Sequence, residues 1–180
     1  MEGVYRTRVG YTGGSLENPT YHNLGDHTEA FQVDYDPALL SYEDLLEIFW
    51  DNHNPTGKAW SRQYRAAIFT HNQDQENLAL ESKAALENML GQKVTTEIVS
   101  LEKFYLAEDY HQKYYLQARP ELADELIAYY PDFRDFVEST AAARINGYIG
   151  GYGNALRLAE EIERFGLSPR SRGMLKKFVY

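Results

Sequence analysis

The sequence contains no cysteine. That absence excludes disulfide bridges, thiolate metal sites and a cysteine nucleophile within these 180 residues. Nor does any apolar run approach the ~20 residues that a membrane-spanning helix requires. The opening residues, MEGVYRTRV, lack the basic and apolar regions of a secretory signal, so a cytoplasmic location is the expectation. Positive charge is scarce: 18 Lys and Arg stand against 27 Asp and Glu, for a net charge of −9. The short basic run Lys176-Lys177 gives no basic face for a nucleic acid. Internal repeats and low-complexity stretches are also missing.

Tyrosine is abundant. Fifteen tyrosines dominate an aromatic share of 14%, and a ring that also offers a hydroxyl suits wet pockets as well as cores. A hydrophobic content of 43% is enough for one sizeable core and an appended subdomain. Residues 3–11 read as a strand, 12–27 as a Gly-, Asn- and Pro-rich loop, and 28–35 as a second strand ending at Asp36-Pro37. Ser41 reads as an N-cap, with Asp44 as its capping-box partner, for a helix over YEDLLEIFWDN. YRAAIFTH reads as a third strand. Asn72 and Gln75 open a longer helix that Gly91 closes, and VTTEIVS follows as a fourth strand with Val94, Thr96 and Ile98 on one face. AEDYHQKYYLQ reads as helix, and from Pro120 onward the pattern is helical except at GYIGGYG. Strands first and helices segregated later predict an α+β fold, a mixed β-sheet with packed helices and a helical C-terminal extension.

In the second strand Phe31, Val33 and Tyr35 point one way, and Glu29 shares their parity. A carboxyl turned toward an apolar face loses hydration, and one held protonated there can donate a proton as a general acid. A place among the strand's first residues also lets the side chain reach solvent. Tyr21, ending NPTY, and Tyr64, opening the third strand in parity with Ala66 and Ile68, are placed to grip a polar oxygen through their hydroxyls. Both also fit as ordinary half-buried aromatics. His22, Asp26, His27 and Glu29 crowd one loop without the spacing of a ligand signature, so no metal is expected and the histidines read as loop-ordering groups. The glycines of GYTGG and GYIGGYG do not follow the phosphate-cradle pattern and read as turns.

In order, the chain shows GYTGG, NPTY, GDHTE, a strand running into YDP, SYEDLLEIFWDNHNP, QYRAAIF, TTEI and FYLAEDYHQKYY. That series resembles the type A methionine sulfoxide reductases, over residues 3–117. The resemblance implies reduction of the S epimer of methionine sulfoxide, free or in proteins. It implies no bound cofactor and an external thiol reductant, thioredoxin or a small dithiol. Proton donation falls to Glu29, and sulfoxide binding to Tyr21 and Tyr64. It implies a two-layer sandwich over residues 1–119, with residues 120–180 as a helical extension.

The same resemblance creates a conflict. The family's nucleophile lies in a GCFW motif, upstream of the segment that resembles MEGVYRTRVGYTGG. These residues hold neither that cysteine, nor its Phe-Trp neighbours, nor the strand and helix around them. Reduction needs a thiolate that attacks the sulfoxide sulfur and becomes a sulfenic acid, and Ser, Tyr and Glu do not cycle through such a state. Two expectations follow: an N-terminally truncated reductase that is inactive alone, or a non-catalytic module that binds a sulfoxide, a peptide or a partner. The loop HNPTGKAWSRQY departs as well, being shorter and lacking the aspartate the family carries ahead of QY, with Ala59 or Trp60 in its neighbourhood.

Overall fold

A computed structural model describes residues 2–179. Strand β1 (Val4–Thr12) is the centre of a three-stranded antiparallel sheet, between β2 (Thr28–Tyr35) and β5 (Phe104–Leu106). Register with β2 sets Tyr11 opposite Glu29, Val9 opposite Phe31 and Thr7 opposite Val33. Strands β3 (Ala67–Thr70) and β4 (Glu97–Ser100) pair in parallel as a separate sheet. Parallel partners need a long crossover, and α2 (Gln73–Leu90) supplies it. Helix α1 (Tyr42–Asp51) packs against α2, where Trp50 Nε1 donates to Ser82 Oγ at 3.0 Å. The class is α+β, with parallel and antiparallel pairs in different sheets.

The caps form where the sequence places them. Ser41 Oγ accepts from the Asp44 N–H at 3.1 Å while the Asp44 carboxylate accepts from the Ser41 N–H at 2.8 Å, a complete capping box. Asn72 accepts from the Gln75 N–H to open α2, and Gly91 closes it at φ 64°, a left-handed conformation that strains other residues.

Several local expectations fail: VTTEIVS is a strand only over Glu97–Ser100, and Gly10 of GYTGG lies within β1 rather than in a turn. Tyr64 does not open a strand: it ends a single 3-10 turn over Arg62–Tyr64, and β3 begins at Ala67. AEDYHQKYYLQ is not one helix either. A 3-10 turn at Asp109–His111 leads to Lys113 at φ 48°, then to the short α3 (Tyr114–Gln117). Side-chain anchors explain the break. Buried Gln112 accepts from the Val9 N–H at 3.0 Å and donates to the Val9 carbonyl at 2.9 Å. Lys113 Nζ donates to the carbonyls of Thr7 at 2.5 Å and Val137 at 2.6 Å. Both anchors turn the backbone toward β1, which a regular helix does not do. The three residues of β5 are too few for alternation to mark them beforehand.

The C-terminal part holds α4 (Pro120–Ile127), α5 (Phe133–Val137), α6 (Thr140–Ile149), α7 (Ala155–Glu161) and α8 (Pro169–Lys176). Helix α6 runs into GYIGGYG before Gly151, at φ 84°, turns the chain. These helices and Leu116 build the largest core among the described residues, with Leu122, Leu126, Phe136, Ile145 and Leu175 all at 1% exposure or less. The sheet side has smaller clusters, Tyr11 with Leu24 and Ala107, and Leu46 with Ile68 and Ala79. Each large side chain buried contributes about 1.5–3 kcal/mol, so most apolar stabilisation lies in the helices. Charge ties the two parts together. Glu138 pairs with Arg6 at 2.5 Å and Arg8 at 3.3 Å, and Asp34 pairs with both arginines at 2.8 Å. No helix among the described residues is long and apolar enough to cross a membrane.

Lys113 makes stability depend on pH with an unusual sign. Burial, with Arg8 adding to it and Glu138 opposing it, pushes its ammonium down from 10.5 to about 8. Below pH 8 both the folded and unfolded chains hold that proton, and the folded chain bears the cost of burying it. Between 8 and 10.5 the folded chain sheds the proton while the unfolded chain keeps it, so stability rises with pH. Tyrosines oppose this from about pH 10, because burial raises Tyr11, Tyr148 and Tyr42, and the unfolded chain then loses phenolic protons first. Urea midpoints should therefore climb from pH 8 to 10 and then fall. Lys113→Met should remove the climb.

Candidate active site

Short-range polar bonds fold the loop between β1 and β2. The Ser15 N–H donates to Asp26 at 2.7 Å. His27 is buried, its Nδ1 accepting from the Gly14 N–H at 3.2 Å and its Nε2 donating to the Leu16 carbonyl at 2.8 Å. Both nitrogens are thus engaged in ordering the loop. No cluster of three or more His, Asp or Glu suited to a metal occurs among the described residues. Thr20 and Asn23 exchange backbone hydrogen bonds at 3.1 and 3.0 Å, a tight turn that presents Tyr21 and His22 at its tip.

Glu108 pins that tip to the sheet. Its carboxylate accepts from the Tyr21 N–H at 2.9 Å and from the buried Tyr11 hydroxyl at 2.6 Å. Burial works against its charge, but the hydrogen bonds from Tyr11 and Tyr21 prevail and hold the carboxyl below its ordinary range. Burial and the same bond push the Tyr11 phenol far up, so it stays a donor. The Tyr21 ring leans on His111, with centroids 4.8 Å apart.

Glu29 begins β2 across from Tyr11. Gln63 Nε2 donates to the Glu29 carboxylate at 2.5 Å and lies 3.1 Å from the Tyr64 hydroxyl, to which it also donates. A hydrogen bond with the Tyr21 side chain, then desolvation, then the charge of Glu29 raise the Tyr64 phenol above its ordinary value. It remains a proton-bearing donor at neutral pH. Glu29, Tyr21 and Tyr64 therefore meet at one place, beside a cleft of about 320 Å³ lined by Val9, Tyr11, Tyr21, Glu29, Phe31 and His111.

The burial expected for Glu29 is not observed. Glu29 is exposed, and Phe31 on the same face of β2 is 66% exposed. Alternation correctly groups the two, but the Tyr21 loop and residues 107–114 line that face near Tyr11 and leave both side chains exposed. Sequence reasoning also passed over Gln63 and Glu108. Gln63 had a signal in its place beside Tyr64. Glu108 had none, since its partners are 87 and 97 residues away.

A family model described as peptide methionine sulfoxide reductase matches residues 1–144. The chain belongs to that family. The peptide methionine sulfoxide reductase of Drosophila melanogaster is 42% identical over 172 residues, spanning 94% of this chain and 69% of the fly protein. Peptide methionine sulfoxide reductase A5 of Oryza sativa subsp. japonica is 42% identical over 82% of this chain, which spans 60% of the rice protein. Among solved structures, methionine sulfoxide reductase A of Corynebacterium diphtheriae aligns with a TM-score of 0.56 at 32% identity, covering 66% of this chain and 65% of that one. Reduced Mxr1 of Saccharomyces cerevisiae aligns with a TM-score of 0.60 at 27% identity, covering 66% of this chain and 74% of the yeast chain.

In this member of the family Glu108 joins the site to the core, and its loss should be felt in both. Glu108→Ala is expected to cost on the order of 1–3 kcal/mol in urea unfolding, because the buried Tyr11 hydroxyl loses its acceptor. In a Tyr11→Phe background the cost should shrink, as the orphaned donor is gone.

Proposed function

We propose that these 180 residues supply the sulfoxide-binding and proton-donating part of a peptide-methionine (S)-S-oxide reductase, which reduces methionine S-sulfoxide to methionine. The observation that carries the reading is that Gln63 bridges Glu29 and Tyr64 beside the cleft that Glu29 and Tyr21 line. The tyrosine hydroxyls donate hydrogen bonds to the sulfoxide oxygen, and Glu29, exposed without ligand, delivers a proton to it once the bound sulfoxide covers the carboxyl. A thiolate then forms a bond to sulfur. The methionine sulfide departs with its electron pair restored, and the oxygen and proton end on the thiol as a sulfenic acid. A second thiol, from thioredoxin or a small dithiol, condenses with that sulfenic acid to a disulfide and releases water.

Both thiols come from outside these residues, since the sequence has none. The same lack favours a second reading, a non-catalytic module that binds a sulfoxide or a peptide. The two readings share their ligand and differ in turnover. Calorimetric titration with N-acetylmethionine S-sulfoxide amide tests the shared part. Saturable binding is expected, weakened about tenfold by Tyr64→Phe or Tyr21→Phe through loss of a hydrogen bond to the oxygen. Unchanged affinity in both variants would remove these residues from the site.

A further inference from the structure

Trp60 is 83% exposed, more than any other large hydrophobic side chain among the described residues. A ring of that size left open to water forgoes more burial than any other side chain offers, and exposed tryptophans concentrate where ligands dock. Trp60 is also fixed in place. Its ring stacks on Tyr64, with centroids 4.8 Å apart and planes inclined by 29°. The loop that carries it is tied down at its base, where Thr95 Oγ1 donates to the Gly57 carbonyl at 2.6 Å and the Thr95 N–H donates to the Pro55 carbonyl at 2.8 Å. From Tyr64 the polar chain continues through Gln63 to the Glu29 carboxylate. An apolar plate thus stands next to the groups proposed to hold the sulfoxide oxygen, with one indole face covered by Tyr64 and the remainder in solvent.

The geometry points to Trp60 as a binding residue for the apolar part of the ligand, the methyl and methylene groups attached to the sulfoxide sulfur. Resting on the function proposed above, this adds a second point of recognition: the tyrosines and Glu29 read the oxygen, and the indole reads the carbon chain. Sulfur and its alkyl neighbours pack well on aromatic rings, and the contact removes indole surface from water. A positioning role through Tyr64 alone is the competing account, and it leaves the indole itself untouched by ligand.

Fluorescence separates the two. Trp50 is the other tryptophan, so Trp50→Phe leaves Trp60 as the single indole emitter. Titrating that variant with N-acetylmethionine S-sulfoxide amide should shift the Trp60 emission to the blue with the same midpoint that calorimetry gives. In the full chain, Trp60→Ala should weaken binding about tenfold, while Trp60→Phe, which keeps an aromatic plate, should recover most of it. Saturable binding with no change in Trp60 emission overturns the assignment and leaves the function proposed above standing. Loss in Trp60→Ala that Trp60→Phe fails to recover also overturns it. Absence of calorimetric binding by the unmodified chain overturns both.

Discussion

Incubated with dithiothreitol and methionine S-sulfoxide, the 180-residue chain is expected to form no methionine beyond what the dithiol forms alone. The reason is one of electron accounting. Sulfoxide reduction moves two electrons to the substrate sulfur, and the enzyme group that supplies them must pass through an oxidised state that a thiol can restore. Cysteine does this as sulfenic acid and disulfide, and the chain contains none. Serine, tyrosine and glutamate offer oxygen nucleophiles without such a cycle. Proton donation by Glu29 and polarisation by the tyrosines lower the barrier only for a nucleophile that is present. Methionine production above the dithiol background, abolished by Glu29→Gln, would show that bound sulfoxide can be reduced by a free thiol. That outcome would contradict the need for a protein thiol.

Phe136→Ala should be the most damaging single truncation on the helical side, costing about 3–5 kcal/mol. Phe136 is fully buried, and its ring packs against Phe133 and Tyr130 at centroid distances of 5.3 and 6.4 Å. The cavity would open in the cluster that holds most of the buried apolar surface. It would also loosen α5, which ends in Val137, whose carbonyl accepts from Lys113, and is followed by Glu138, which pairs with Arg6 and Arg8 of β1. Urea unfolding followed by tryptophan fluorescence reports on the sheet side, where both tryptophans lie. Its midpoint should fall in step with that from circular dichroism, which is dominated by helix. Separate transitions would mean that the sheet stands without the helical core, against the account of the Arg–Glu and lysine ties.

Much of the fold can be read from local sequence because its signals are local. Ser41 and Asp44, Asn72 and Gln75, and Gly91 each act within four residues, and the elements they bound form as predicted. The parity of Glu29 with Phe31 is equally local and holds as geometry. Whether that face is covered depends on chain segments far away, and there the inference from parity to burial fails. Lys113 fails for the same reason, because its partners Thr7 and Val137 lie 106 and 24 residues off and override helix propensity. In the site, motif resemblance groups Tyr21, Glu29 and Tyr64, and the link between Glu29 and Tyr64 in space runs through Gln63, whose role is visible only once the 3-10 turn is known.

The measurement that bears most directly on the central claim compares the two epimers of N-acetylmethionine sulfoxide amide on the unmodified chain, by calorimetry. Epimers differ in how the oxygen and the two carbon groups are arranged about sulfur, so with the oxygen held by the tyrosines and the carbon groups meeting the cleft, the S epimer should bind saturably and the R epimer at least about tenfold more weakly. Tyr21→Phe combined with Tyr64→Phe should abolish the difference. Equal binding of both epimers, or a preference that survives the double variant, would contradict the claim that these residues form a sulfoxide site.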